Sequence, residues 1–256
     1  MQLHFREQGN GRALIILHGL FGSLDNWAYV SGQLAERFHV FSIDQRNHGQ
    51  SPHSNEMNFP ALAADLNEFM IQRGLESASV MGHSMGGKAA MEFALAWPEK
   101  VERLIVVDMA TRAYPRRHDD IFEALLEIEL GKFQTRAQVD EALTSKIPEL
   151  AVRRFLLKGI SQDAPGSLRW KFNLPVLHEH YSELTEALAS ERHCDKPALF
   201  IRGGKSDYIL DDDLPQIREL FPRAELETIP EASHWVHAEC ADKFIKSVEN
   251  FLVRNF

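Results

Sequence analysis

A serine hydroxyl becomes a useful nucleophile only when a base removes its proton, and one serine of this chain stands where that chemistry is commonly built. Ser84 is the centre of Gly82-His83-Ser84-Met85-Gly86. The apolar run Ala78-Ser79-Val80-Met81 precedes it and Gly87-Lys88-Ala89-Ala90-Met91-Glu92 follows. This pattern predicts a short strand turning sharply into a helix with the serine at the tip, the G-x-S-x-G elbow in its required setting. A side chain at either outer glycine would collide with the adjoining strand or helix. The turn forces the serine into a strained conformation that projects its hydroxyl outward. The helix start behind it favours developing negative charge.

Histidine suits the role of base near neutral pH. Of the twelve histidines, His234 is the best placed, reached from the expected strand Ala224–Ile229 through the loop Pro230-Glu231-Ala232-Ser233. His237 is expected at a helix start or in a lid contact, His178 and His180 in an inserted segment, His83 in a structural role, and His18 and His48 in turns. A third group must orient the imidazole and stabilise its cation. Two aspartates between Ser84 and His234 compete for that role. Asp108 ends a very apolar strand, where a carboxylate is costly to bury without a partner. Asp207 follows Ser206 in the loop after a later strand. Asp108 is preferred, and Asp207 stays open.

Acyl transfer also needs donors for the oxyanion. The backbone N–H of Met85 is one candidate. The other comes from the loop His18-Gly19-Leu20-Phe21-Gly22, with Leu20 N–H first and Phe21 N–H second. Phe21, Trp27, Trp170, Phe172 and Trp235 occupy motif loops or the inserted segment. Phe21, Trp170 and Trp235 lead as candidates for an apolar substrate pocket. Arg116 and Arg117 are candidates for an anionic head group such as a coenzyme A phosphate.

Strands and helices alternate around these residues. Ala13–Leu17, Val40–Ile43, the strand before Ser84, Leu104–Val107, Ala198–Ile201 and Ala224–Ile229 read as strands, and Leu3-His4-Phe5-Arg6 opens with strand alternation. Helices are expected near Trp27–Arg37, Pro60–Arg73, from the elbow to Trp97-Pro98, and at Ala241–Leu252. Continuous apolar strands between helices imply a mostly parallel sheet covered on both faces, with ligands at the carboxyl ends of the strands. The stretch 112–191 shows helical periodicity and no convincing strand, with helices expected at Asp120–Lys132, after Thr135 as N-cap, at Pro148–Gly159 and at Val176–Leu188. The expected organisation is a core of residues 1–111 and 192–256 with a helical lid at 112–191.

The chain carries 28 Lys+Arg against 37 Asp+Glu, a net charge of −9, with no basic stripe. That argues against nucleic acid and anionic membranes as partners. Cys194 and Cys240 have neither metal spacing nor a disulfide framework, which fits free thiols in a reducing compartment. No membrane-length apolar run and no signal-peptide pattern occur, so a cytoplasmic protein is expected. Neither metal nor cofactor is expected, and nothing fixes the oligomeric state.

Together these pieces resemble the α/β-hydrolase fold family over nearly the whole chain. The details are similar to a YbfF-like group of bacterial cytoplasmic esterases with a mitochondrial relative. The signatures are His18-Gly19-Leu20-Phe21-Gly22-Ser23, Arg46-Asn47-His48-Gly49, Gly82-His83-Ser84-Met85-Gly86-Gly87-Lys88, Trp170-Lys171-Phe172-Asn173 and His234-Trp235-Val236-His237. The resemblance implies a serine esterase or thioesterase acting on small acyl substrates, acyl-CoA among them, through an acyl-enzyme on Ser84. It places the acid at Asp108, with Ser206 able to contact the histidine. Two other readings keep the fold: C–C bond hydrolysis or cofactor-free peroxidation, and a binding protein without catalysis. Dehalogenases and epoxide hydrolases are disfavoured because they use an aspartate where this chain has Ser84.

Overall fold

The computed structural model describes residues 1–162, 167–188 and 191–254; residues 163–166 and 189–190, within the expected lid segment, and 255–256 lie outside the description. The alternating N-terminal stretch becomes β1 (Phe5–Gln8), and the apolar runs after it become β2 (Ala13–Leu17), β3 (His39–Ile43), β4 (Ala78–His83) and β5 (Val101–Val107). An inserted segment follows, containing the short strands β6 (Ile160–Gln162) and β7 (Leu168–Trp170). The sheet then resumes with β8 (Ala198–Gly203) and β9 (Ala224–Ile229). Its spatial order is β1-β3-β2-β4-β5-β8-β9. Only the β1–β3 pairing is antiparallel among these neighbours. The central register runs Ile16 to Met81 to Ile105 to Leu199.

Alternation along each strand divides the core between two faces. Ile15, Leu17, Val80, Leu104 and Val106 pack beneath α2 (Phe59–Gln72) and α3 (Met85–Ala96), against Leu66, Phe69, Ala89 and Phe93; α1 (Ala28–Leu34) belongs to the other side. There Leu14, Ile16, Met81, Ile105 and Leu199 meet Val30 and Leu34 of α1 and also Phe244, Val248 and Phe251. Asn58 caps α2 by accepting a bond from Ala61 N–H at 2.9 Å, with Pro60 in the first turn. Each strand of the parallel array therefore delivers its carboxyl end to one rim, where Ser84 and Asp108 follow β4 and β5 and Gly203 ends β8.

The insertion contains α4 (Asp119–Glu127), α5 (Arg136–Leu143), α6 (Leu150–Lys158) and α7 (Leu174–Glu179). Thr135 caps α5 in a reciprocal box with Gln138. The segment departs from its expected all-helical character at the β6–β7 hairpin, where Ile160 pairs with Trp170. Strands of three residues are too short for alternation to declare them. Helix α7 also stops at Glu179, and a single turn at Glu183–Thr185 replaces its expected continuation. After β8 come α8 (Asp213–Leu220), which is not among the expected helices, then α9 (Val236–Glu239) and α10 (Ala241–Val253).

Candidate active site

The steric demand on the elbow glycines is direct. A Cβ on Gly82 would lie 2.0 Å from the Gly86 carbonyl oxygen, and one on Gly86 would lie 2.5 Å from that of His18. Strand β4 and helix α3 meet this closely because both positions lack side chains. Ser84 takes φ 53° between them. Among the described residues, only Phe21, Asn47, Ser84 and Asp108 are non-glycine residues with left-handed backbone. Three of those four come from the predicted site, and strain of this kind concentrates at functional positions.

Asp108 is fully buried at the end of β5. Its Oδ1 accepts the Gly203 N–H at 3.0 Å, and Oδ2 accepts the Ser206 hydroxyl. Oδ2 also lies 2.8 Å from His234 Nδ1, so the tautomer that satisfies this contact carries its proton on Nδ1 and leaves Nε2 as the acceptor. Burial pushes the Asp108 carboxyl above its ordinary range, while the Ser206 and Gly203 donors pull it back. Burial, followed by the neighbouring His118 and Arg117, pushes the His234 imidazole below its ordinary range and so holds it neutral. Asp207 is placed otherwise. It is 66% exposed and pairs with Arg117 at 2.5 Å.

His234 is fixed from two further sides. Its carbonyl lies 2.9 Å from His83 Nε2, next to the nucleophile candidate. The Tyr208 ring stacks on its imidazole with centroids 3.9 Å apart and planes 18° apart. Arg117 in turn lies over Tyr208 at 5.1 Å. Tyr208 is anchored through its carbonyl, which accepts the Tyr114 hydroxyl at 2.6 Å. No hydrogen bond joins Ser84 Oγ to His234 among the described residues, as is common before substrate binds.

A small cavity of about 40 Å³ opens at Ser84. Leu20, Met85, Met109 and Tyr208 border it from the core, and Tyr114, Arg117, His118, Tyr181 and Leu184 from the insertion. The structure thus brings Ser84, Leu20 and Met85 together and pairs His234 with Asp108. The Leu20 and Phe21 amides have no hydrogen-bond partner among the described residues. The predicted aromatic pocket is distributed differently. Phe21 is buried against Phe122 and Phe172. Trp170 stacks on Phe172 at 5.1 Å and borders a polar cleft near Asp44. Trp235 packs on Phe155 and faces another cavity. None of the three borders the space at Ser84. Trp27, fully buried, stacks on His237 at 4.1 Å. Arg116 is tied to Asp119 and Ser182.

Sequence reasoning missed Tyr208, Tyr114, His118 and Tyr181. His118 Nδ1 lies 2.6 Å from the Tyr181 hydroxyl. It also missed the role of Lys88, which is buried in α3 and donates through Nζ to the Glu186 carbonyl, tying the insertion to the elbow helix. Burial pushes its ammonium down to about 8. The only available signal was position: Tyr208 lies two residues beyond Ser206, and Lys88 four beyond Ser84.

The model of the α/β hydrolase fold family matches residues 12–240. The chain belongs to the α/β-hydrolase family. It is 35% identical to esterase YbfF of Escherichia coli (strain K12) over 250 residues, spanning 96% of this chain and 95% of the relative. It is 36% identical to the sn-1-specific diacylglycerol lipase ABHD11 of Xenopus tropicalis over 250 residues, spanning 94% of this chain and 78% of that one. A solved marine microorganism esterase is 42% identical and superposes with a TM-score of 0.95, covering 98% of this chain and 99% of its own. Among α/β hydrolases this one is therefore of the esterase and lipase type. No helix among the described residues is long and apolar enough to cross a membrane.

Proposed function

We propose that the protein is a metal-independent serine hydrolase that cleaves small carboxylic esters or thioesters through an acyl-enzyme on Ser84. The observation that carries this reading is the 2.8 Å contact between His234 Nδ1 and buried Asp108, on an imidazole stacked by a residue of the Ser84 cavity. In this scheme Ser84 Oγ attacks the acyl carbon as its proton passes to His234 Nε2. Asp108 stabilises the imidazolium. The Leu20 and Met85 amides receive the charge on the carbonyl oxygen. The bond to the alcohol or thiol then breaks, and that group leaves with the proton from His234. Water activated by His234 repeats the sequence and frees the acid.

The free thiols Cys194 and Cys240 fit a cytoplasmic setting. The insertion 112–191 acts as a lid in this reading: its side chains border the Ser84 cavity, and Lys88 and Asn173 fasten it to the core, the latter through a 2.8 Å bond to the Asn47 carbonyl. Parallel assays on p-nitrophenyl esters and vinylogous diketones test the reaction class. Ester turnover with no diketone cleavage is expected; the reverse would replace ester hydrolysis by C–C bond hydrolysis.

A further inference from the structure

A second cavity, of about 370 Å³, lies next to the elbow. The two cavities use neighbouring residues of the same two loops. Leu20 and Ser84 face the small one, while Gly19 and His83 face the large one. A Cβ on Gly19 would come within 3.3 Å of Ser84 Cβ, so the large cavity begins one atom layer from the nucleophile candidate. The small cavity holds about three water molecules by volume, at roughly 10–15 Å³ each. It suits a short acyl group, and any bulky remainder of a substrate needs the larger space.

The chemistry of the large cavity is specific. Trp235 and Phe155 supply an aromatic wall, their centroids 5.6 Å apart. Arg154 and Lys158 border it from α6, four residues apart and therefore on one face. Neither makes a hydrogen bond or ion pair among the described residues. The adjacent Arg153, by contrast, is bound to Asp140 at 2.7 Å, and Arg117 in the small cavity is neutralised by Asp207. The one carboxylate bordering the large cavity, Glu239, already accepts from the Ser233 N–H and hydroxyl. His237 also borders this space, and its Nδ1 is buried without a partner. Two exposed cations without a carboxylate partner and an aromatic wall thus border the same space.

We infer that this cavity is the leaving-group subsite, taking an alcohol or thiol with a flat apolar body and an anionic far end, either phosphate or carboxylate. The assignment rests on Ser84 as the acylated residue. The anionic head group expected at Arg116 and Arg117 moves accordingly to Arg154 and Lys158.

The test compares the native enzyme with the double variant R154Q/K158Q on phenyl acetate, 4-acetoxybenzoate and 4-acetoxyphenyl phosphate. The ratio of kcat/KM for an anionic ester to that for phenyl acetate is expected to fall at least tenfold in the variant, for whichever anion the subsite holds. An unchanged ratio for both anionic esters overturns the inference. Binding of 4-hydroxybenzoate and 4-hydroxyphenyl phosphate to Ser84→Ala, measured by calorimetry with and without the double substitution, gives a readout that needs no turnover. Binding that is equal in the two proteins, or absent from both, overturns the subsite. Turnover that persists in Ser84→Ala instead sinks the nucleophile assignment, so the two failures are distinguishable.

Discussion

Replacing Asp108 by Asn changes one oxygen into an amide nitrogen and keeps the volume. The Asn oxygen retains the Gly203 N–H, which donates to Oδ1 at 3.0 Å. The new NH₂ then faces His234 Nδ1 in place of an acceptor now 2.8 Å away. The imidazole answers by moving its proton to Nε2, the nitrogen that accepts from Ser84 in the proposed scheme. Ring and nucleophile stay in position with the wrong tautomer. A change of this kind lowers kcat by roughly 10⁴-fold, equivalent to about 5 kcal/mol of barrier. Folding should not suffer comparably, because a neutral amide escapes the burial that penalises the carboxylate. Asp207→Asn removes only an exposed ion pair with Arg117, worth at most about 1 kcal/mol, and should leave kcat within about threefold. Initial rates on p-nitrophenyl acetate, beside thermal melts showing both variants folded, decide the matter. A folded but inactive Asp207→Asn together with an active Asp108→Asn would refute the reasoning.

Acid should destabilise the fold through its buried histidines. Burial pushes His18 down to about 4 and His48 down to about 3. Unfolded, each binds a proton below about 6.5, whereas the folded state does not. Stability is therefore full above pH 6.5 and falls as pH drops, by about 1.4 kcal/mol per unit for each histidine. Urea midpoints at pH 7 and pH 4.5 measure this, and equal midpoints would contradict it. Gly86→Ala should cost at least about 2 kcal/mol by overpacking, since its Cβ meets the His18 and Leu17 carbonyl oxygens at 2.5 and 2.6 Å; an unshifted melting temperature would show that the elbow tolerates a side chain. The roughly 40 Å³ cavity at Ser84 should give kcat/KM falling more than tenfold from p-nitrophenyl butyrate to the octanoate, and a flat profile would show that the acyl chain lies elsewhere.

The central strands were legible because they are buried on both faces and therefore written as continuous apolar runs, as at Ala13–Leu17; the half-exposed edge strand Ala224–Ile229 mixes polar with apolar residues, and its bounds also match residue for residue. Ser84 was legible because its turn excludes side chains at two fixed offsets. Asp108 was recognisable by the cost of ending such a strand with a carboxylate, but choosing it over Asp207 required knowing which one faces His234. Tyr208 and His118 left no trace in periodicity, since each is a single loop residue whose place depends on a distant segment. The three expected pocket aromatics are dispersed for the same reason: none borders the space at Ser84, and Trp235 lines the larger cavity instead. Phe21 has the composition of a pocket wall, yet Phe122 and Phe172 cover it from the insertion. Stretches as short as Ile160–Gln162 carry too little pattern to separate a hairpin from a helix.

The central claim is that Ser84 Oγ carries the acyl group. Intact-mass and peptide mapping after treatment with a fluorophosphonate test it most directly. A single adduct on the peptide containing Ser84, with loss of ester turnover, and neither adduct nor turnover in Ser84→Ala, is the predicted result. An adduct on another residue, or ester hydrolysis retained by the folded Ser84→Ala protein, would contradict it.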